Sequence, residues 1–186
     1  MTSFLIHSSE TAPARSRKTL EEVEAKYGFT PNLFGVFAGA PAAAEAYLAL
    51  GNAFASSSLS PVEQQIVAIA ASTVNGCTYC VAAHSTVATM VKMPAEVLSA
   101  LRDGRALPDA KLEALRVFTI KAVEKRGWLS DSDLGDFFRA GYNRASVLEV
   151  IVGLALKTLS NYTNHIAKTP LDDAFAGQRW EPKQAA

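Results

Sequence analysis

Sulfur is scarce in this chain. Its 186 residues hold two cysteines and three methionines. A disulfide-stapled scaffold is excluded, because one bridge across so short a loop restricts the unfolded chain little. Charge of either sign is not in excess: Lys plus Arg and Asp plus Glu each number 18. There is no basic field to gather nucleic acid and no acidic tail. No apolar run approaches the roughly 20 residues that a membrane helix needs. Met1 to Glu10 lacks a basic stretch followed by a long apolar one, so no secretory leader is read there. The expectation is a cytoplasmic protein. In that compartment a close cysteine pair is more often catalytic, redox-active or metal-binding than structural.

What is abundant is apolar residues at helical spacing, 49% of the chain. No alternating strand pattern stands out, so the expectation is an all-α fold, one domain over 1–186 with about seven or eight helices. Thr19 to Lys26 reads as an amphipathic helix ended by Gly28, Leu33 to Ala38 as a short apolar one, and Ala42 to Ala55 as a small-residue helix. Ser60 reads as an N-cap, with Pro61 at the first helical position and Glu63 completing a capping box. Asn75-Gly76 ends that helix, and the next starts at about Cys77 and runs to about Val91. This helix pair, 60–92, carries the cysteines. Further helices read over Ala95 to Arg102, over Asp109 to Lys125, and from Ser130 to near Gly141.

The last strong helix spans about Ala145 to Ala167. Val147, Leu148, Ile151, Leu154, Ala155, Leu159 and Ile166 are assigned to its buried positions. Val150, Val152 and Leu156 broaden the apolar surface beyond one face. That breadth predicts a homo-oligomer. Residues 171–186 read as a tail whose Phe175 and Trp180 dock on a neighbour. Trp128 and Trp180 read as packing residues.

The chemistry concentrates in Cys77-Thr78-Tyr79-Cys80 and His84. A helix starting at Cys77 puts both thiols in its first turn, where free N–H groups and the helix dipole favour a thiolate. His84 lies at i+4 from Cys80, on the same face, and is the expected proton partner. A thiolate on Cys80 can attack a hydroperoxide, leaving a sulfenic acid that Cys77 condenses with to a disulfide. A second dithiol then reduces the bridge. This requires no metal, flavin or haem. Two other readings stay open: a pair of buried apolar cysteines, and a zinc site of Cys77, Cys80, His84 and His165.

Leu59-Ser60-Pro61-Val62-Glu63-Gln64-Gln65-Ile66-Val67, followed by Asn75-Gly76-Cys77-Thr78-Tyr79-Cys80-Val81-Ala82-Ala83-His84-Ser85, resembles the alkylhydroperoxidase D-like branch of the carboxymuconolactone decarboxylase superfamily. Gly28-Phe29-Thr30-Pro31-Asn32-Leu33 and the stretch from Leu148 to His165 extend the likeness over about residues 20 to 175. The resemblance implies an all-α fold, oligomers built as dimers, trimers or hexamers, and an antioxidant, peroxiredoxin-like activity. It implies that Cys80 attacks peroxide, Cys77 resolves the intermediate and His84 relays a proton. The implied partners are a hydroperoxide substrate and a dithiol protein or small thiol as reductant.

One position departs from that pattern. The branch has a relay glutamate twelve residues before the first cysteine, and here that residue is Gln65. An amide cannot serve as a base. A glutamate there would stabilise an imidazolium at His84, so Gln65→Glu is expected to speed peroxide consumption. Glu63 is turned roughly 200° away along the helix and is assigned to the capping box. Gln65 leaves two alternatives in play: a non-peroxidatic dithiol oxidoreductase or redox sensor, and a decarboxylase-like binding protein without turnover. Asn161 and His165, one turn apart on the last helix, are candidate pocket residues opposite Cys80, or else a polar stripe. Tyr79 either covers the site or fills the core.

Overall fold

In the computed structural model, which describes residues 3–182, the chain folds as one helical domain, and no strand occurs among those residues. Nine α-helices follow in order: α1 (Ala14–Tyr27), α2 (Asn32–Phe37), α3 (Pro41–Ala55), α4 (Pro61–Val74), α5 (Thr78–Met90), α6 (Ala95–Asp103), α7 (Ala110–Glu124), α8 (Asp131–Arg139) and α9 (Arg144–Ala167). A 3-10 turn, Asp173–Gln178, closes the chain. With α2 only six residues long, eight helices have ordinary length. Residues 1–2 and 183–186 lie outside the described part, including the end of the expected tail.

The central element is α4. Ile66, Val67, Ala68, Ile69, Ala70 and Ala71 are all buried, so this helix is covered on every side. It packs against α3, α5, α6, α7 and α9. Its start is built as the sequence predicts: Ser60 Oγ accepts from the Glu63 N–H at 3.3 Å, and Glu63 accepts from the Ser60 N–H at 2.8 Å. Such a cap stabilises a helix by about 1 kcal/mol. The core around α4 joins Phe54, Leu101, Leu115, Phe118, Phe137, Val150 and Leu156. Each large side chain buried there contributes about 1.5–3 kcal/mol.

Two close fits position the helices that carry chemistry. Between α4 and α5, Gly76 adopts φ +66°, a left-handed conformation that costs glycine nothing. The turn delivers Cys77 as the N-cap of α5, its N–H bonded to the Ser72 carbonyl at 2.9 Å. On α9, Gly153 meets α3 and α4 directly. A Cβ there would lie 2.8 Å from the Phe54 ring and 2.9 Å from Val67 Cγ1.

The orientation of α9 corrects the sequence reading. Leu148, Ile151 and Ile166, assigned to buried positions, are 64%, 53% and 69% exposed. Ala155 is also exposed, and Val147, Leu154 and Leu159 are half-buried. The buried face is instead Ser146, Val150, Gly153, Leu156, Lys157, Ser160, Asn161 and Asn164. Five of these eight are polar: Ser146 completes the helix's capping box, and Lys157, Ser160, Asn161 and Asn164 line the region of the cysteines rather than a uniform core. Within the protomer the tail packs on its own domain: Phe175 lies edge-on to Tyr79, with ring centroids 6.0 Å apart, and Trp180 is buried against α6. Trp128, read as a packing residue, is 87% exposed.

Candidate active site

Cys77 and Cys80 sit together at the start of α5, 1% and 2% exposed, both as free thiols in one packed cluster. They face one stripe of α9. Lys157, Ser160, Asn161 and Asn164 recur at i, i+3, i+4 and i+7, which places them on a single helical face. Asn164 Nδ2 donates to Cys80 Sγ at 3.3 Å and reaches Cys77 Sγ at 3.9 Å. Ser160 Oγ lies 3.6 Å from Cys80 Sγ. Asn161 donates to Ser72 Oγ at 3.2 Å and accepts from Asn75 Nδ2 at 2.9 Å, tying α9 to the α4–α5 turn.

These surroundings split the two thiols. Burial pushes Cys80 up, but the hydrogen bond with Cys77, the charge of Lys157 and contacts with Ser160 and Asn161 outweigh it, and Cys80 falls to about 5. Cys77 moves the other way, raised by its hydrogen bond to Cys80, by burial and by the charge on Cys80. The surroundings thus push the pair in opposite directions, Cys80 toward the thiolate and Cys77 toward the thiol. A perturbed, asymmetric pair of this kind is what nucleophilic thiol chemistry needs.

His84 lies one turn after Cys80 on α5, as the spacing predicts, but it does not bond the thiol. Its Nδ1 is bonded to Gln65 Oε1 at 2.8 Å, and its Nε2 is bonded to Lys157 Nζ. Nδ1 therefore donates to the amide oxygen, and Nε2 accepts from the ammonium. Both ring nitrogens are occupied, and neither bonds Cys80. Burial, and then the charge of Lys157, hold His84 well below its ordinary range. Neither nitrogen faces Cys80 to take its proton directly. Gln65 does occupy the place at the far end of the histidine, as the resemblance implies.

The remaining candidates separate cleanly. Glu63 stays outside the site, bonded to Ser60, to the Tyr142 hydroxyl at 2.8 Å and to Lys111 at 3.2 Å. Asn161 is in the site; His165 lies past the edge of the buried stripe and is exposed. Tyr79 packs beside both cysteines and donates to Asp172 at 2.5 Å. Asp172 also accepts from the Asn32 N–H at 3.0 Å, so it fastens the tail over α5 and α2. Arg102 of α6 holds the far end through the carbonyls of Gln178 and Arg179. A small cleft of about 120 Å³ remains between this strap and the N-terminus of α5.

Among the described residues, no three His, Cys, Asp or Glu side chains converge to hold a metal ion. The zinc reading lacks His165, which faces solvent, and His84, whose nitrogens are taken. Sequence reasoning missed Lys157, Ser160 and Asn164. Lys157 had a signal: it is the only charged residue between Glu149 and His165, in the middle of an apolar helix.

Residues 41–120, from the start of α3 into α7, match the model of the Carboxymuconolactone decarboxylase family. Over those residues the chain is similar to that family. No curated protein matches the sequence. Solved structures match the whole fold. An uncharacterized peroxidase-related protein from Ralstonia eutropha JMP134, described as an alkylhydroperoxidase AhpD core, superposes with a TM-score of 0.81 at 22% identity, covering 91% of this chain and 92% of that one. A second uncharacterized peroxidase-related protein, from Silicibacter sp. TM1040, gives 0.82 at 20% identity, with 95% of each chain covered. The debrominase Bmp8, in a cysteine-to-alanine variant bound to 2,3,4-tribromopyrrole, gives 0.80 at 16% identity, covering 96% of this chain and 95% of that one. The chain therefore has the AhpD-core fold, and the matched segment 41–120 contains the whole cysteine–histidine motif.

Proposed function

We propose that this protein is a thiol-dependent hydroperoxide reductase. The observation that carries the reading is the buried free pair Cys77 and Cys80, with Asn164 Nδ2 donating to Cys80 Sγ and Ser160 Oγ beside it, surroundings that favour a thiolate at Cys80. The Cys80 sulfur attacks the terminal oxygen of a hydroperoxide. An S–O bond forms, the O–O bond breaks, and the departing alkoxide takes a proton to become an alcohol. Cys77 then attacks the sulfenic acid at Cys80, releasing water and forming the Cys77–Cys80 disulfide. An external dithiol reduces that bridge by exchange and leaves as its own disulfide.

Asn164 supports the substrate's place. Its Oδ1 is buried without a hydrogen-bond partner, while its Nδ2 holds the thiolate. A buried acceptor left open is costly, and the hydroxyl of a hydroperoxide can donate to it beside the sulfur. The peroxidase-related neighbours share the fold in which this site sits.

The test is peroxide consumption with a panel of dithiol reductants. Wild type turns over, and Cys80→Ser falls to the uncatalysed rate. Cys77→Ser completes one attack and stops as a Cys80 sulfenic acid, trapped by dimedone and read by mass. No turnover by wild type above Cys80→Ser with any reductant overturns the reading. Disulfide formation in a single round, without turnover, would favour the redox-sensor alternative that Gln65 keeps open.

A further inference from the structure

The ammonium of Lys157 is buried without a carboxylate. Its side chain is 1% exposed. The groups that interact with it are neutral or weakly acidic: Tyr27 from α1, Tyr47 from α3, Gln65 from α4 by way of His84, and Cys77, Cys80 and His84 from α5. None of these groups is an Asp or Glu. A buried cation must be paired or give up its proton, because leaving it alone in a low-dielectric interior is prohibitive.

We propose that Lys157 is the counter-ion of the Cys80 thiolate and the proton store of the redox cycle, taking over the role that a relay carboxylate would otherwise play. The first half stands on placement: Lys157 lies on the buried face of α9 one turn before Ser160, whose Oγ is 3.6 Å from Cys80 Sγ and donates to the Lys157 carbonyl at 3.2 Å. Tyr47 and Tyr27 are held protonated chiefly by burial, and Cys77 is held protonated by Cys80. The thiolate is then the one anion left to face the ammonium. Burial lowers the proton affinity of Lys157, while the anionic forms of Tyr47, Cys80 and Cys77 raise it, and the balance is upward. His84 fixes the amine in place by accepting its hydrogen bond at Nε2. Lys157 is therefore a positioning and charge-compensating residue, acting on sulfur through space.

The second half follows from what oxidation does to that charge. In the reduced site Cys80–S⁻ and Lys157–NH₃⁺ sum to zero. When the sulfur is oxidised its negative charge disappears, and the ammonium is left buried without compensation. It then releases its proton. With a hydroperoxide, that proton goes to the alkoxide leaving group: thiolate, ammonium and ROOH become sulfenic acid, amine and ROH. Condensation with Cys77 gives the disulfide and water. Reduction by a dithiol returns two protons, one to Cys77 and one to Lys157. The site stays neutral at every stage.

The inference deepens the hydroperoxide reading, and its test is independent of turnover. The ultraviolet absorbance of the Cys80 thiolate, taken as wild type minus Cys80→Ser, reports ionisation without requiring access to the buried sulfur. Wild type should show the thiolate well below neutral pH. Lys157→Met, which replaces a buried cation by an uncharged chain of similar length, should remain folded by circular dichroism and move the midpoint from about 5 toward the ordinary thiol value of about 8.5. An unmoved midpoint, or no thiolate at neutral pH in wild type, overturns the counter-ion. The proton store is read by oxidising the pair stoichiometrically with diamide in unbuffered solution. Diamide takes up two hydrogens as it becomes a hydrazine. In wild type both come from the site, from Cys77 and Lys157, so the medium loses none. Lys157→Arg keeps a permanent cation beside the thiolate and should draw about one proton from the medium per disulfide. Uptake of one proton by wild type would show that Lys157 stays charged in the oxidised site and would overturn the store. These readings fail or hold whether or not peroxide is the physiological oxidant.

Discussion

Position 65 is where a single atom changes the electrostatics of the site. A glutamate oxygen and the glutamine Oε1 can both accept the Nδ1–H of His84, but only the carboxylate brings a charge. Read from the sequence, that charge should help, by stabilising an imidazolium that has taken the proton of Cys80. The geometry reverses the sign. His84 already meets a cation at Nε2, so a carboxylate at position 65 would pair with Lys157 through the ring and compete with the thiolate for it. Two anions sharing one buried cation disfavour each other. Gln65→Glu should therefore raise the midpoint of the Cys80 thiolate absorbance and slow peroxide attack below that midpoint, in proportion to the thiolate lost. The titration of thiolate absorbance against pH, run beside the rate of peroxide consumption, measures both. A midpoint that falls, with faster consumption, would restore a carboxylate–histidine relay and demote Lys157.

Among the elements, α4 and α9 show what a sequence can and cannot display. Ser60, Pro61 and Glu63 announce the start of α4 locally, because a cap is chemistry between near neighbours, and the structure builds it with those atoms. The cysteine helix and its turn were legible for the same reason: Gly76 and the Cys77–Cys80 spacing act within a few residues. The rotation of α9 was not legible. Periodicity places apolar residues inside on the assumption that the interior is apolar throughout. Here the interior beside α5 is a charged dithiol site, so Lys157, Ser160, Asn161 and Asn164 turn inward, and Leu148, Ile151 and Ile166 turn out. His84 failed similarly. Its helical spacing to Cys80 is real, but its partners Gln65 and Lys157 come from two other helices, and no local pattern encodes them. Gly153 marks how tightly α9 is held in this orientation. Gly153→Ala would drive a methyl into Phe54 and Val67, both buried, and should destabilise the protein by about 1–3 kcal/mol despite alanine's better helix propensity. Denaturant unfolding checks it. Phe54→Leu should cost less when combined with Gly153→Ala than when made alone; strictly additive effects would show that the methyl is accommodated elsewhere.

For the whole molecule, the inverted α9 leaves a surface problem. One face of the helix lines the thiols. The opposite face presents Leu148, Ile151, Tyr162 and Ile166, each more than half exposed, along most of a 24-residue helix. Beside it runs a groove of about 560 Å³, walled by Leu129, Leu134, Val147 and Leu154 from α8, α9 and the loop after α7, and Trp128 stands exposed next to the groove-lining Gly127 and Leu129. Apolar surface of this extent on a single chain predicts an association site. The expected occupant is a second copy, because a helix that presents its own apolar stripe next to a complementary apolar groove can exchange the two across a symmetric contact. Light scattering should then give a multiple of the 19.8 kDa chain at micromolar concentration. Ile151→Arg, which puts a charge in the centre of the stripe without touching the buried face, should return the mass to that of one chain. It should also lower the thermal midpoint and abolish its dependence on protein concentration, since assembly stabilises the folded chain by mass action. The thiolate absorbance of Cys80 should persist in that variant, because its partners on α9 are all on the inward side. A wild-type mass of 19.8 kDa under those conditions would sink the assembly and leave the exposed stripe to a different partner.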